Sequence, residues 1–308
     1  MISRNFTRHL CVDINMSQQK EIKALIHLID DPDEHIFNQI REKILSIGNE
    51  VIPLLEEAWE NQNLGMLYQS RIEDIIHKIQ FDAVYHNLYQ WANSGSQDLL
   101  EGALIINRYQ YPDLDEEDIK NKISAIRQDV WIELNNSLTA FEVIRVVNYI
   151  LFDLHGFTGN KKNYHSPQNS YLSTVLESKK GNPLSLAILY CIIAQQLEIP
   201  VYGVNLPSHF VLAYKDNNNV LDFLETEQED NGVLFYVNPF SRGTIFNRTE
   251  IEQFLDQLKL EPKSNFFEPC SNVDIVKRIL ANLVYSYEKL GYPEKVNELK
   301  ELKSALEP

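Results

Sequence analysis

The sequence predicts an α+β protein, mostly α-helical. It reads as a helical N-terminal region, a central core holding a small antiparallel sheet, and a C-terminal helical hairpin. Three observations carry this. Apolar residues recur at three- and four-residue steps between Lys20 and Ala92. After Pro200 the pattern changes to short runs rich in β-branched and aromatic residues. From Asp274 onward helical spacing returns around a Gly291–Tyr292–Pro293 turn. The expected regions are residues 1–97, 98–262 and 263–308.

In the first region Ile22, Leu25, Ile26 and Ile29 form one helix face. Asp33 is placed to cap the next helix, Gly48 to end it, and Pro53 to lie near the start of a third. The order of a short helix, DPD, a longer helix and LSIGNEVIPLLEE resembles one HEAT-type repeat. An ordinary helical bundle accounts for the same pattern.

More amphipathic helices are expected between Asp98 and Phe152. YPDLDEEDI places acidic residues at a helix start, where the helix dipole favours them. Thr139 and Glu142 have capping-box spacing, and Gly156 can close that helix. GFTGNKKNYHSPQNS reads as a loop and SYLSTVLES as a short helix. LSLAILYCIIAQQL has little polar face, which suits a helix buried on most sides.

VYGVNLP, HFVLAY, VLDFLE and VLFYVNP are the expected strands, and TIFNRTEIEQFLDQLKL reads as a return to helix. NLVYSYEKLGYPEKV with the closing Pro308 resembles a single tetratricopeptide-type unit. One unit cannot stack on itself, so it is expected to pack on the preceding domain as a cap; a docking surface is the other reading.

Composition narrows function. Lys and Arg number 28 against 44 Asp and Glu, a formal charge of −16. That charge repels phosphate backbones, so no nucleic-acid partner is expected. Cys11, Cys191 and Cys270 are far apart and form no CxxC pair, which points to reduced thiols rather than disulfides or zinc. No stretch has the apolar length of a membrane span or a signal-peptide core, so a cytoplasmic protein without membrane contact is expected.

No phosphate-binding glycine motif, HExxH or GxSxG occurs. The spacing of His155, His165 and His209 brings them to no common helix face, so neither a metal nor any cofactor is expected. Cysteine–histidine catalysis needs a thiolate, a nearby base and a group that orients the base. The helix start in KKGNPLSLA, residues 179–187, would favour a thiolate, and His209 follows soon after. Yet Cys191 lies about two turns inside that helix, as a small core residue would.

The block from GFTGNKKNYHSPQNSYL through KKGNPLSLA, EIP and PSHFVLAY, then FYVNPF, resembles the transglutaminase-like core of the SirB regulator type over about residues 100 to 250. The wider transglutaminase and papain-like superfamily uses Cys, His and Asp. The resemblance sets Pro183 at the nucleophile position, His209 at the histidine and Asn238 at the aspartate. Proline at the first position is usual in the SirB type; the asparagine departs from its more common Asp.

Proline has no nucleophilic atom and no backbone N–H, and it suits the first turn of a helix capped by Asn182. Asn238 alone would not abolish catalysis, because Asn orients the histidine in papain-like proteases. Ser185 is a weak replacement nucleophile, since it projects roughly 200° around the helix from Pro183. Asp222 is a weak replacement for Asn238 and reads equally as an exposed strand residue.

The expected function is therefore a non-catalytic transglutaminase-like protein acting in protein interaction or regulation through an unidentified protein partner. Asn182, His209 and Asn238 are the candidate lining of a ligand crevice. A hydrolase or acyl-transferase using His209 with a non-standard nucleophile is the alternative. A repeat scaffold binding its partner through the N-terminal helices is the third.

Overall fold

The structure, a computed structural model, describes residues 16–60, 65–215 and 232–307. Cys11, the expected VLDFLE strand and Asp222 lie outside the described residues. The protein divides into two compact units, residues 1–86 and 87–308.

The first unit is built from helices α1 (Met16–His27), α2 (Glu34–Ile47), α3 (Ile52–Trp59) and the first part of α4 (Met66–Ala92). Asp33 caps α2 by accepting the His35 N–H, and Gly48 closes it at φ 75°. Pro53 stands in the first turn of α3, where its missing N–H costs no hydrogen bond. Ile22, Ile26, Ile44, Val51, Leu55, Ile72 and Ile75 make one apolar core. Arg71 on α4 supports the DDPDE turn, donating to the carbonyls of Ile29 and Asp31, both at 2.8 Å, and to Glu34 at 2.6 Å.

The second unit begins within α4 and continues through α5 (Leu99–Gln110), α6 (Glu116–Glu133) and α7 (Ala140–Asn148). Thr139 and Glu142 make the capping box that starts α7. A π-helical turn, Tyr149–Leu154, extends α7, and Gly156 follows at φ 73°. The loop that follows carries two short elements the sequence did not suggest. Thr158–Gly159 (β1) pairs in parallel with Lys180–Gly181 (β2), and Pro167–Ser170 forms a 3-10 turn. Strands of two residues have no readable period; the bridge exists because distant backbone supplies its partner.

Helix α8 (Leu172–Ser178) leads through β2 into α9 (Pro183–Gln196). Every α9 residue from Pro183 to Ala194 is buried. Strands β3 (Val201–Val204), β4 (Val211–Lys215), β5 (Val233–Asn238) and β6 (Thr244–Phe246) form one antiparallel sheet in sequential order. Along β4, Val211 and Ala213 pack with Ile251 and Leu255, while the equally buried Leu212 points to the opposite face. Both faces of this strand are thus covered, which explains its continuous apolar run.

One expectation is corrected here. TIF is a strand, not the start of a helix: Tyr236, Val237 and Asn238 pair with Phe246, Ile245 and Thr244. The helix α10 (Arg248–Gln257) begins only after Asn247, which caps it by accepting the Glu250 N–H. Three residues are too short for alternation to separate strand from helix, and the free edge of β5 settles the matter.

Helices α11 (Asn272–Leu290) and α12 (Pro293–Ser304) form the C-terminal hairpin, turned by Gly291 at φ 77°. Helix α11 runs against α5 and α9. The hairpin is thereby part of the second unit.

Candidate functional site

The start of α9 is fixed by backbone and side chains together. Asn182 accepts the Ser185 N–H at 2.8 Å, and the Ser185 hydroxyl accepts the Asn182 N–H at 3.0 Å. The Asn182 amide also donates to the Ser170 hydroxyl at 3.0 Å. Thr158 N–H donates to the Lys179 carbonyl and Asn160 N–H to the Gly181 carbonyl, which ties the GFTGN segment to the helix start. Asn160 then donates to Asn169, whose own amide donates to the carbonyls of Asn163 and Tyr164. This series of amides holds Tyr164 and His165 beside the end of the helix.

A cleft of about 580 Å³ opens there. Asn182 and Pro183 form one side, Ser208 and His209 another, and Tyr164 and His165 a third. Helix α11 closes it with Arg278, Asn282, Tyr285 and Ser286. A second cleft of about 350 Å³ is lined by His209, Asn238, Glu250 and Phe254. His209 is common to both. Pro183 thus shares the first cleft with His209, and Asn238 shares the second.

His209 lies at the end of a tight turn in which Ser208 adopts the left-handed conformation, φ 59°. Such a conformation is uncommon for a residue with a side chain. Burial pushes the imidazole below its ordinary value of 6.5; a hydrogen bond with Asn238 opposes this and the Arg278 guanidinium adds to the lowering. Burial thus favours the uncharged ring. Asn238 also accepts the N–H groups of Phe240 at 3.1 Å and Ser241 at 3.3 Å, which holds its side chain in place.

The other candidates stand apart. Ser185 is buried with its hydroxyl engaged in the cap and does not line the cleft. Cys191 is fully buried and burial raises its thiol far above the usual range. Burial also pushes the Cys270 thiol up to about 12. Both are protonated at neutral pH, and neither lines the cleft. His155 bonds Asp129 at 2.8 Å, and His165 packs edge-on against Tyr164 and Tyr285. Among the described residues no group of three His, Cys, Asp or Glu is placed to hold a metal.

The contribution of α11 was missed from sequence. Arg278, Asn282 and Tyr285 stand at i, i+4 and i+7, so they share one helix face. That polar stripe within a mainly apolar helix was the available signal.

A family profile described as transglutaminase-like superfamily matches residues 117–281, more than half of the 308. The protein belongs to the transglutaminase-like superfamily. It is 33% identical over 204 residues to a UPF0162 protein of Xylella fastidiosa strain Temecula1, covering 63% of this sequence and 68% of that protein. A UPF0162 protein of Vibrio cholerae is 24% identical over 193 residues, 61% of this sequence and 66% of the relative. F-box only protein 21 of Homo sapiens is 26% identical over 265 residues; these cover 78% of this sequence but 39% of that protein. The match thus spans about two thirds of these bacterial relatives and well under half of the F-box protein. No solved structure matches the protein. Among the described residues, no helix is long and apolar enough to cross a membrane.

Proposed function

We propose that this protein is a non-catalytic, SirB-type member of the superfamily that uses the cleft beside α9 to bind a ligand or protein segment in a regulatory role. The observation that carries this is Pro183 at the helix start beside His209, in a cleft lined by no thiol among the described residues. Proline offers neither a nucleophile nor an N–H to an oxyanion. The two free cysteines among the described residues suit a cytoplasmic setting. The deciding experiment is labelling of the intact protein with thiol- and serine-directed activity probes. The expected result is no labelling in the cleft. Stoichiometric labelling that disappears in His209→Ala would establish the alternative, a hydrolase or acyl-transferase working through His209 and a hydroxyl.

A second reading concerns the first unit, whose HEAT-like helices would act as a scaffold. A groove of about 620 Å³ there is lined by Glu56, Glu57, Glu60 and Glu73 beside Trp59. Four carboxylates and an indole suit a basic peptide, through charge and cation–π contact. A lysine- or arginine-rich peptide should bind the intact protein and lose affinity when Glu57 and Glu60 are both changed to Gln; undiminished binding excludes this groove.

A further inference from the structure

We propose that the cleft between α9 and α11 is a receptor for an organic carboxylate, bound by the guanidinium of Arg278 with its planar body among Tyr164, His165 and Tyr285. This rests on the reading of the cleft as a binding site and specifies what it binds.

The first support is charge. The protein has 44 acidic residues, yet none of the described residues lining this cleft is Asp or Glu. Its formal charge comes from Arg278 alone, in a protein of net charge −16. The second support is the state of Arg278. Its Nη1 donates to the Asn205 side chain at 2.6 Å and, more weakly, to the Leu206 carbonyl at 3.4 Å. Its Nε points to Asn282 at 3.4 Å. All three acceptors are neutral. Among the described residues Arg278 has no carboxylate partner, and its Nη2, bonded to no protein acceptor, is open to solvent rather than a buried orphan. Burial lowers the pKa of this guanidinium. A half-buried guanidinium with no carboxylate beside it offers its remaining N–H groups to an anion entering the cleft.

The walls specify the rest of the ligand. His165 packs edge-on to Tyr164 at 5.1 Å and to Tyr285 at 5.5 Å, so three rings line the cleft together, with Lys289 Nζ over the Tyr285 ring at 4.8 Å. Such surfaces accept a flat apolar body. The volume, about 580 Å³, suits a small molecule or the last residues of a peptide. A single guanidinium matches the single charge and planar fork of a carboxylate. A phosphate dianion carries more charge than the one guanidinium compensates. The positive end of α9 lies on the same cleft and acts in the same direction.

The carboxylate can belong to a free aromatic acid or to the C-terminus of a polypeptide, and the test separates these. Calorimetric titration of the full-length protein would use 4-hydroxyphenylacetate and its amide, a pentapeptide ending in Phe with a free carboxylate and its C-terminal amide, and inorganic phosphate. At least one acid should bind about tenfold or more tightly than its amide, the difference shrinking at high salt. The tighter acid identifies the source. In Arg278→Gln, acid and amide should bind alike, and Arg278→Lys should recover only part of the preference. If Arg278→Gln does not fold, the wild-type acid–amide comparison and the Lys variant carry the test. Acids that bind no better than their amides, a preference that survives in Arg278→Gln, or phosphate binding tighter than either acid would each overturn the proposal. Labelling of the cleft by an activity probe would instead overturn the non-catalytic reading and leave the acid–amide comparison intact.

Discussion

Asn182 and Ser185 cap each other at the start of α9: each accepts the backbone N–H of the other, at 2.8 and 3.0 Å. The bond pair explains why a serine so close to Pro183 is committed to structure. It also sets the position of the helix end on which the cleft is built.

Asn182→Ala should therefore destabilise the protein by about 1–2 kcal/mol, the usual cost of a lost N-cap. The bond to Ser170 goes with it. Urea unfolding provides the measurement, and an unchanged midpoint would show that the cap contributes little.

Pro183→Cys should create a thiol at a helix N-terminus beside His209. The helix end favours the thiolate, and the His209 ring can take up the thiol proton. At pH 7 it should react with iodoacetamide roughly tenfold faster than Cys270, whose thiol is shifted the other way. Adding His209→Ala should slow it. Equal rates at the two cysteines would mean that the helix end and His209 do not act on this position.

His209 makes a pH prediction of definite sign. Its folded value is depressed below 6.5, so the unfolded state takes up the proton first as pH falls. Its contribution to stability is fully present above the unfolded value and is lost as pH drops from about 6.5 toward the folded value. His209→Gln should flatten the decline in unfolding free energy between pH 7.5 and 5, followed by denaturant midpoints. An identical decline in the variant would refute the assignment.

Gly203→Ala should damage the site from behind. A Cβ at Gly203 would lie 2.7 Å from the Phe210 ring and 3.1 Å from Ile275. Phe210 adjoins His209 and itself lines the cleft. Overpacking of this kind costs about 1–3 kcal/mol and should displace the ring. Thermal unfolding and the ring resonances of Phe210 report the two effects; a wild-type melt with unshifted resonances would contradict the packing.

Much of the fold was legible because local chemistry and final structure agree. Asp33, Thr139 and Asn182 cap helices as their spacing implies, and Gly291 turns the last hairpin. The apolar run after Pro183 is buried on all sides. Where a segment is too short for a period, the sequence was silent or misleading. The bridge between Thr158–Gly159 and Lys180–Gly181 and the strand Thr244–Phe246 depend on partners brought from distant segments.

The same division holds at the site. By itself the sequence determined that the position after Asn182 is a proline, that a histidine, His209, follows, and that no cysteine begins α9; the structure places His209 in the turn just ahead of β4 rather than on the strand. These are facts of residue identity, and they limit the chemistry directly. Tertiary structure alone decided that α11 closes the cleft and brings Arg278 to His209, 69 positions earlier in the sequence. A guanidinium on an amphipathic helix has no address in the sequence. It acquires one only when packing half-buries it at the cleft with no carboxylate beside it among the described residues.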